Sequence, residues 1–173
     1  MTHRSFVRRL AGTSFATLIL AASAVPSMAQ DKNFKQVWVK TPDGLTISAQ
    51  DWGNPTGPEI VFIHGFSQSH LSWIKRVTSE LTKDFHMVTY DLRGHGNSDK
   101  PLEAERYKDS KAWADELQAV MNATGIKRPV LAGWSYGGRI MADYLRIHGP
   151  DKLAGLNYVM PDRRPIPPSS APT

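Results

Sequence analysis

The residues of this 173-residue chain with the sharpest chemical signature are Gly133-Trp134-Ser135-Tyr136-Gly137. An apolar run, Pro129 to Ala132, precedes them, and Arg139 to Arg146 follows with helical character. This is the G-x-S-x-G pattern, in which a tight, strained turn from strand to helix displays a serine hydroxyl as a nucleophile. Gly133 and Gly137 have a steric purpose, because strand and helix approach too closely at such a turn to leave room for side chains. A serine that attacks an acyl carbon generates an oxyanion, which needs two preorganised backbone N–H donors. One is the amide of Tyr136, and the other is expected from the loop after an earlier strand, at Phe66 of His64-Gly65-Phe66. His64, directly before the turning Gly65, reads as a brace of that loop rather than as the general base. A third segment, Asp91-Leu92-Arg93-Gly94-His95-Gly96-Asn97-Ser98-Asp99, places a histidine between two glycines. It lacks the lysine and spacing of a phosphate cradle and reads as a structural loop beside the site.

The elements that must position these residues follow from hydrophobic patterning. Phe34 to Lys40 and Leu45 to Trp52 are candidate strands, joined as a hairpin by Thr41-Pro42-Asp43-Gly44. Ile60-Val61-Phe62-Ile63 is a short continuous apolar run, as expected of a strand buried on both faces. Ser72 to Leu81 is expected to be helical, and Phe85 to Tyr90 is the next strand. Lys108 to Thr124 is the clearest helix, with Trp113, Leu117, Val120 and Met121 on one face and Gly125 as a stop. The alternation of strands and helices predicts an α/β fold built on a mostly parallel sheet. Reactive groups in such sheets gather beyond the carboxyl ends of the strands, where all three motifs fall.

Together the three motifs resemble the α/β-hydrolase superfamily. The likeness is to the branch of serine esterases, cofactor-free haloperoxidases (perhydrolases), C–C bond hydrolases, haloalkane dehalogenases and epoxide hydrolases, and it runs from about Phe34 to Val159. The resemblance implies Ser135 as nucleophile, the Phe66 and Tyr136 amides as oxyanion hole, and His64, Gly65, Gly133 and Gly137 as loop support. Dehalogenases and epoxide hydrolases carry aspartate at the nucleophile position, so a serine points to acyl chemistry with an ester as substrate. Perhydrolysis at the same serine and a non-catalytic binding module are the alternatives, and C–C hydrolysis is also open. No metal or organic cofactor is implied. Trp134, Tyr136 and Phe66 are candidates to line an apolar acyl pocket.

The family supplies its histidine base and orienting acid after the serine. Here the histidine that follows is His148, expected at the far end of the elbow helix, while His64 and His95 are makeshift candidates near the site. Leu153 to Val159 reads as the approach to, and body of, a sixth strand. The thirteen residues from Pro161 to Thr173 hold five prolines and read as a disordered tail, with Asp162 near a position where some family members carry an acid. The expected organisation is therefore a partial α/β-hydrolase domain over residues 30–160, without the cap and the last strands. The expectation is a truncated or frame-shifted hydrolase product, inactive as this chain, whose exposed sheet edge favours self-association; a genuine short module is the competing reading.

Composition narrows the partners. The chain has no cysteine, which excludes disulfides and thiolate sites, and 40% hydrophobic residues, enough for a core. Its net charge of +5 falls to +2 from Gln30 onward once Arg4, Arg8 and Arg9 are set aside, so no nucleic-acid footprint is present. Those arginines, the apolar Ala11 to Val25 and Ser27-Met28-Ala29 read as a secretory signal over residues 1–29, cleaved near Ala29. Its 15-residue apolar run falls short of the roughly 20 that span a bilayer. A periplasmic or secreted protein with a small-molecule acyl substrate, and with no stable membrane span after cleavage, is the expectation.

Overall fold

The computed structural model describes residues 33–159. The signal reading for residues 1–29 and the tail reading for 161–173 lie outside the described residues. Six strands form one sheet: β1 (Phe34–Lys40), β2 (Thr46–Gly53), β3 (Glu59–Ile63), β4 (His86–Tyr90), β5 (Val130–Trp134) and β6 (Gly155–Val159). Three helices accompany them: α1 (Ile74–Val77), α2 (Ser110–Thr124) and α3 (Tyr136–His148). The strand order is β1-β2-β4-β3-β5-β6. β1 and β2 are the expected hairpin, antiparallel with Lys40 opposite Thr46, and β2 runs antiparallel to β4. From β4 to β6 every neighbour is parallel. This is the expected α/β architecture, a mostly parallel sheet with an N-terminal hairpin.

Alternation along the strands divides the core between the two faces of the sheet. Val61 and Ile63 of β3, Val88 and Tyr90 of β4 and Leu131 of β5 face α2 and α3, meeting Trp113, Leu117, Val120, Ile140, Met141 and Tyr144. Phe62, Met87 and Ala132 face the other way, onto Trp52, Trp73 and Val77. Asp109 caps α2 by accepting the Lys111 N–H at 2.8 Å, and Gly125 ends it at φ 75°.

The helix expected over Ser72 to Leu81 is instead broken into a 3₁₀ turn at His70–Trp73, the single turn α1 and a second 3₁₀ turn at Glu80–Lys83. The cause is local. Thr78 donates its hydroxyl to the Ile74 carbonyl and Ser79 to that of Arg76, after which the Ser79 hydroxyl accepts the Leu81 N–H and opens the next turn. No helix of the described residues is long and apolar enough to cross a membrane.

Candidate active site

β3 lies at the centre of the sheet between β4 and β5, so the carboxyl ends of these three strands adjoin. His64 and Gly65 leave β3, Asp91 leaves β4 and Ser135 leaves β5 at one rim. Ser135 is exposed and holds φ 52°, ψ −113°, a strained backbone for a residue with a side chain. Close packing enforces that turn. A Cβ on Gly137 would lie 2.4 Å from the Ile63 carbonyl oxygen, and one on Gly133 would lie 2.8 Å from the Gly137 carbonyl carbon. Gly65 crosses the elbow so closely that a Cβ there would come within 2.8 Å of the Trp134 ring and 3.3 Å of the Ser135 Cβ. The nucleophile candidate and the loop after β3 are therefore in contact.

Tyr136 is the first residue of α3, so its N–H has no acceptor within the helix and stands beside Ser135. Phe66 is 69% exposed, its ring edge-on to Tyr136 at 6.1 Å and to His95 at 5.8 Å. Its amide donates to no acceptor among the described residues. His64 is fully buried, with its Nδ1 2.7 Å from the Gly65 carbonyl and its Nε2 accepting the Leu92 N–H at 3.0 Å. Those two bonds fix the tautomer protonated on Nδ1 and tie the β3 loop to the β4 loop. Burial pushes the His64 pKa down, which favours the neutral ring.

The loop after β4 is organised by two buried charges. Asp91 accepts the His70 and Asn97 amides at 2.7 and 2.9 Å and the His70 ring Nδ1 at 2.9 Å. Burial pushes the Asp91 carboxyl up, but the bonds from His70 and Asn97 outweigh it and hold the group below the usual carboxylate range. Gly96 is obligatory beside it, because a Cβ there would lie 2.2 Å from that carboxylate. Arg93, also fully buried, donates from Nε to Glu116 at 2.8 Å, from Nη1 to Asp43 at 2.8 Å and to the Arg106 carbonyl, and from Nη2 to Asp43 and the Ala112 carbonyl. Its guanidinium lies 5.5 Å from the Trp113 ring, which in turn meets Tyr136 edge-on at 5.6 Å. Burial raises Glu116 to about 7 against the pull of Arg93.

No described histidine hydrogen-bonds the Ser135 hydroxyl. His64 and His95 have both ring nitrogens engaged, His95 through the Arg93 carbonyl and the Ser67 N–H. His86 pairs with Asp51 at 2.7 Å at the opposite rim of the sheet. His148 pairs with Asp115 at the far end of the 13-residue α3, about 20 Å from the elbow at 1.5 Å per residue. His70 is bound through Nδ1 to Asp91. Among the described residues no group of three His, Asp or Glu side chains converges to hold a metal ion.

The three aromatics expected to share a pocket are divided. Phe66 and Tyr136 line a cavity of about 440 Å³ with His95, Tyr107 and Trp113, whereas Trp134 lines another of about 480 Å³ with Trp73 and Val159. Trp134 still belongs to β5 and packs on the α1 face of the sheet, while Tyr136 has turned into α3 on the opposite face.

Comparison with known proteins gives a consistent result. The family profile described as alpha/beta hydrolase fold matches residues 58–172. An AB hydrolase superfamily protein of Bacillus subtilis, YisY, is 32% identical over 127 residues, covering 72% of this chain and 46% of its own. The bifunctional esterase/perhydrolase DCH of Acinetobacter calcoaceticus is 33% identical over 117 residues, covering 68% and 41%. Among solved structures, the esterase RhEst1 from Rhodococcus sp. ECU1013 is similar at a TM-score of 0.66 and 38% identity, covering 73% of this chain and 45% of that one. The chain thus spans less than half the length of each of these relatives.

Proposed function

The chain belongs to the α/β-hydrolase fold family, and from that premise we propose that its site is that of a serine hydrolase acting on carboxylic esters. Ser135 Oγ attacks the acyl carbon, and the Phe66 and Tyr136 amides receive the oxyanion. A base takes the hydroxyl proton and returns it to the leaving alcohol; water then releases the acid from the acyl-serine. The observation that carries the reading is the strained, exposed Ser135, held by two glycines that tolerate no side chain, directly against the loop that presents Phe66. Its similarity to esterases supports an ester as the acyl substrate.

Among the described residues no base pairs with the Ser135 hydroxyl. Because no described histidine hydrogen-bonds the Ser135 hydroxyl, we propose that these 173 residues turn over esters slowly, by about 10⁴-fold or more below a serine hydrolase with a paired base. The test is a fluorophosphonate probe with the modified residue located by mass spectrometry, run beside 4-nitrophenyl acetate turnover. Slow labelling confined to Ser135 and abolished in Ser135→Ala supports the reading. Labelling elsewhere, or none after prolonged exposure, leaves a non-catalytic binding module. A second reading, peracid formation from acetate and hydrogen peroxide at the same serine, is favoured by the similarity to an esterase/perhydrolase. Acetate-dependent halogenation of a dye would reveal it. We further propose export to the periplasm on the strength of residues 1–29, to be tested by the N-terminal sequence of the expressed protein.

A further inference from the structure

Among the described residues, two that are not glycine hold a positive φ: Ser135 at 52° and Ser67 at 57°. The strain at Ser135 belongs to the elbow. That at Ser67 falls one residue after Phe66, on the loop whose amide the proposed reaction uses. Left-handed backbone is unfavourable for a residue with a Cβ and persists where surrounding contacts over-determine it. At Ser67 such a contact is visible: its N–H donates to His95 Nε2 at 3.2 Å. His95 is itself fixed, with its Nδ1 2.9 Å from the Arg93 carbonyl, which assigns the proton to Nδ1 and leaves Nε2 as acceptor. Arg93 is anchored in turn by its bonds to Glu116 and Asp43. The His95 ring also packs against both sides of the loop, 5.1 Å from His64 and 5.8 Å from Phe66.

We propose that His95 is a positioning residue for the oxyanion hole: its Nε2 latches the Ser67 N–H, which fixes the Phe66–Ser67 peptide and, through Phe66, the orientation of the Gly65–Phe66 peptide whose N–H is to face the acyl oxygen beside Ser135. The inference rests on the serine-hydrolase reading above. The sequence pattern offers His95 as a stand-in base, but the latch commits the nitrogen a base would need.

Two measurements on the full chain separate this proposal from the reading it rests on. Amide hydrogen exchange followed by NMR reports the latch without chemistry. The Ser67 N–H is protected in the wild type, loses at least 10-fold of that protection in His95→Phe, which keeps an aromatic ring but no acceptor, and recovers it in His95→Gln. The rate of fluorophosphonate labelling reports the hole. His95→Phe slows it by about 10- to 100-fold, the range for a misaimed donor, and His95→Gln restores most of the rate. Ser67→Gly added to His95→Phe also restores it, since glycine holds φ near 57° without a latch. Unchanged labelling in His95→Phe, or an unprotected wild-type Ser67 amide, overturns the positioning role. A melting temperature that falls in His95→Phe without rescue of labelling by either second change reduces His95 to a structural residue and overturns it as well. A wild type that never labels at Ser135 overturns the proposed reaction, and the exchange arm then still decides the latch.

Discussion

Gly137→Ala sets two physical effects against each other, and the structure decides the sign. Position 137 lies in the first turn of α3, where replacing glycine by alanine in an ordinary helix stabilises by about 1 kcal/mol. Here the new Cβ would lie 2.4 Å from the Ile63 carbonyl oxygen, 3.0 Å from its carbon and 3.1 Å from the His64 carbonyl oxygen. All three are backbone atoms, so no side chain can swing away. Relief requires α3 to lift off β3 by about 1 Å, which places the cost near or above the 3 kcal/mol end of the overpacking range. The net expectation is a loss of about 2 kcal/mol, or roughly a 6–8 °C fall in melting temperature for a domain of this size. Urea unfolding read by tryptophan fluorescence gives the free energy, with Gly125→Ala as the comparison. That position has open space but φ 75°, so only the backbone strain of about 1 kcal/mol applies. A Gly137→Ala protein as stable as the wild type, or more so, would refute the steric account of the elbow.

Three further outcomes follow from the same geometry. Ser135→Gly releases the strained φ of 52° and is expected to raise stability by about 1 kcal/mol while abolishing labelling, whereas Ser135→Ala raises it far less; equal melting temperatures for the two would count against strain. Arg93→Met strips Glu116, Asp43 and the Arg106 and Ala112 carbonyls of their shared donor and is expected to cost about 3 kcal/mol in urea unfolding, so a loss below about 1 kcal/mol would contradict the network described above. Glu116 has a folded pKa of about 7 against a usual 4.5, so its contribution is fully present below about pH 4.5 and is lost as pH rises through 7. Stability measured from pH 5 to 8 should therefore decline with a slope that Glu116→Gln flattens. An identical slope in both proteins would show that Glu116 is ionised throughout.

The sheet and the elbow were legible because their signals are local. The apolar run of β3, the hairpin turn at Thr41 to Gly44 and the Gly133-x-Ser135-x-Gly137 spacing each state their conformation within a few residues, and Gly125 marks the end of α2, whose start lies at Ser110, two residues after the expected Lys108. Where competing local bonds decide, periodicity misled: the stretch from Ser72 to Leu81 has helical spacing but spends its Thr78 and Ser79 hydroxyls on breaking the helix. The polar framework was not legible at all. Arg93 meets Glu116 and Asp43 across 23 and 50 residues, and Asp91 meets His70 across 21, distances over which a sequence gives no pairing signal. The division of Trp134 from Tyr136 could have been anticipated, since the chain changes from strand to helix between them.

The central place of β3 also bears on how the molecule is made. Its neighbours on either side, β4 and β5, begin about 25 and 70 residues later in the chain, so the parallel pairings that flank it are long-range and slow to close compared with the local β1–β2 hairpin. The last of these pairings, β3 with β5, is also the one that presses Gly137 onto Ile63 and brings Gly65 over Ser135. A partly folded chain with the hairpin and β3–β4 in place would have no elbow. Reaction at Ser135 should therefore appear late in refolding, in step with formation of β5, making the serine a chemical clock for the docking of β5 onto β3.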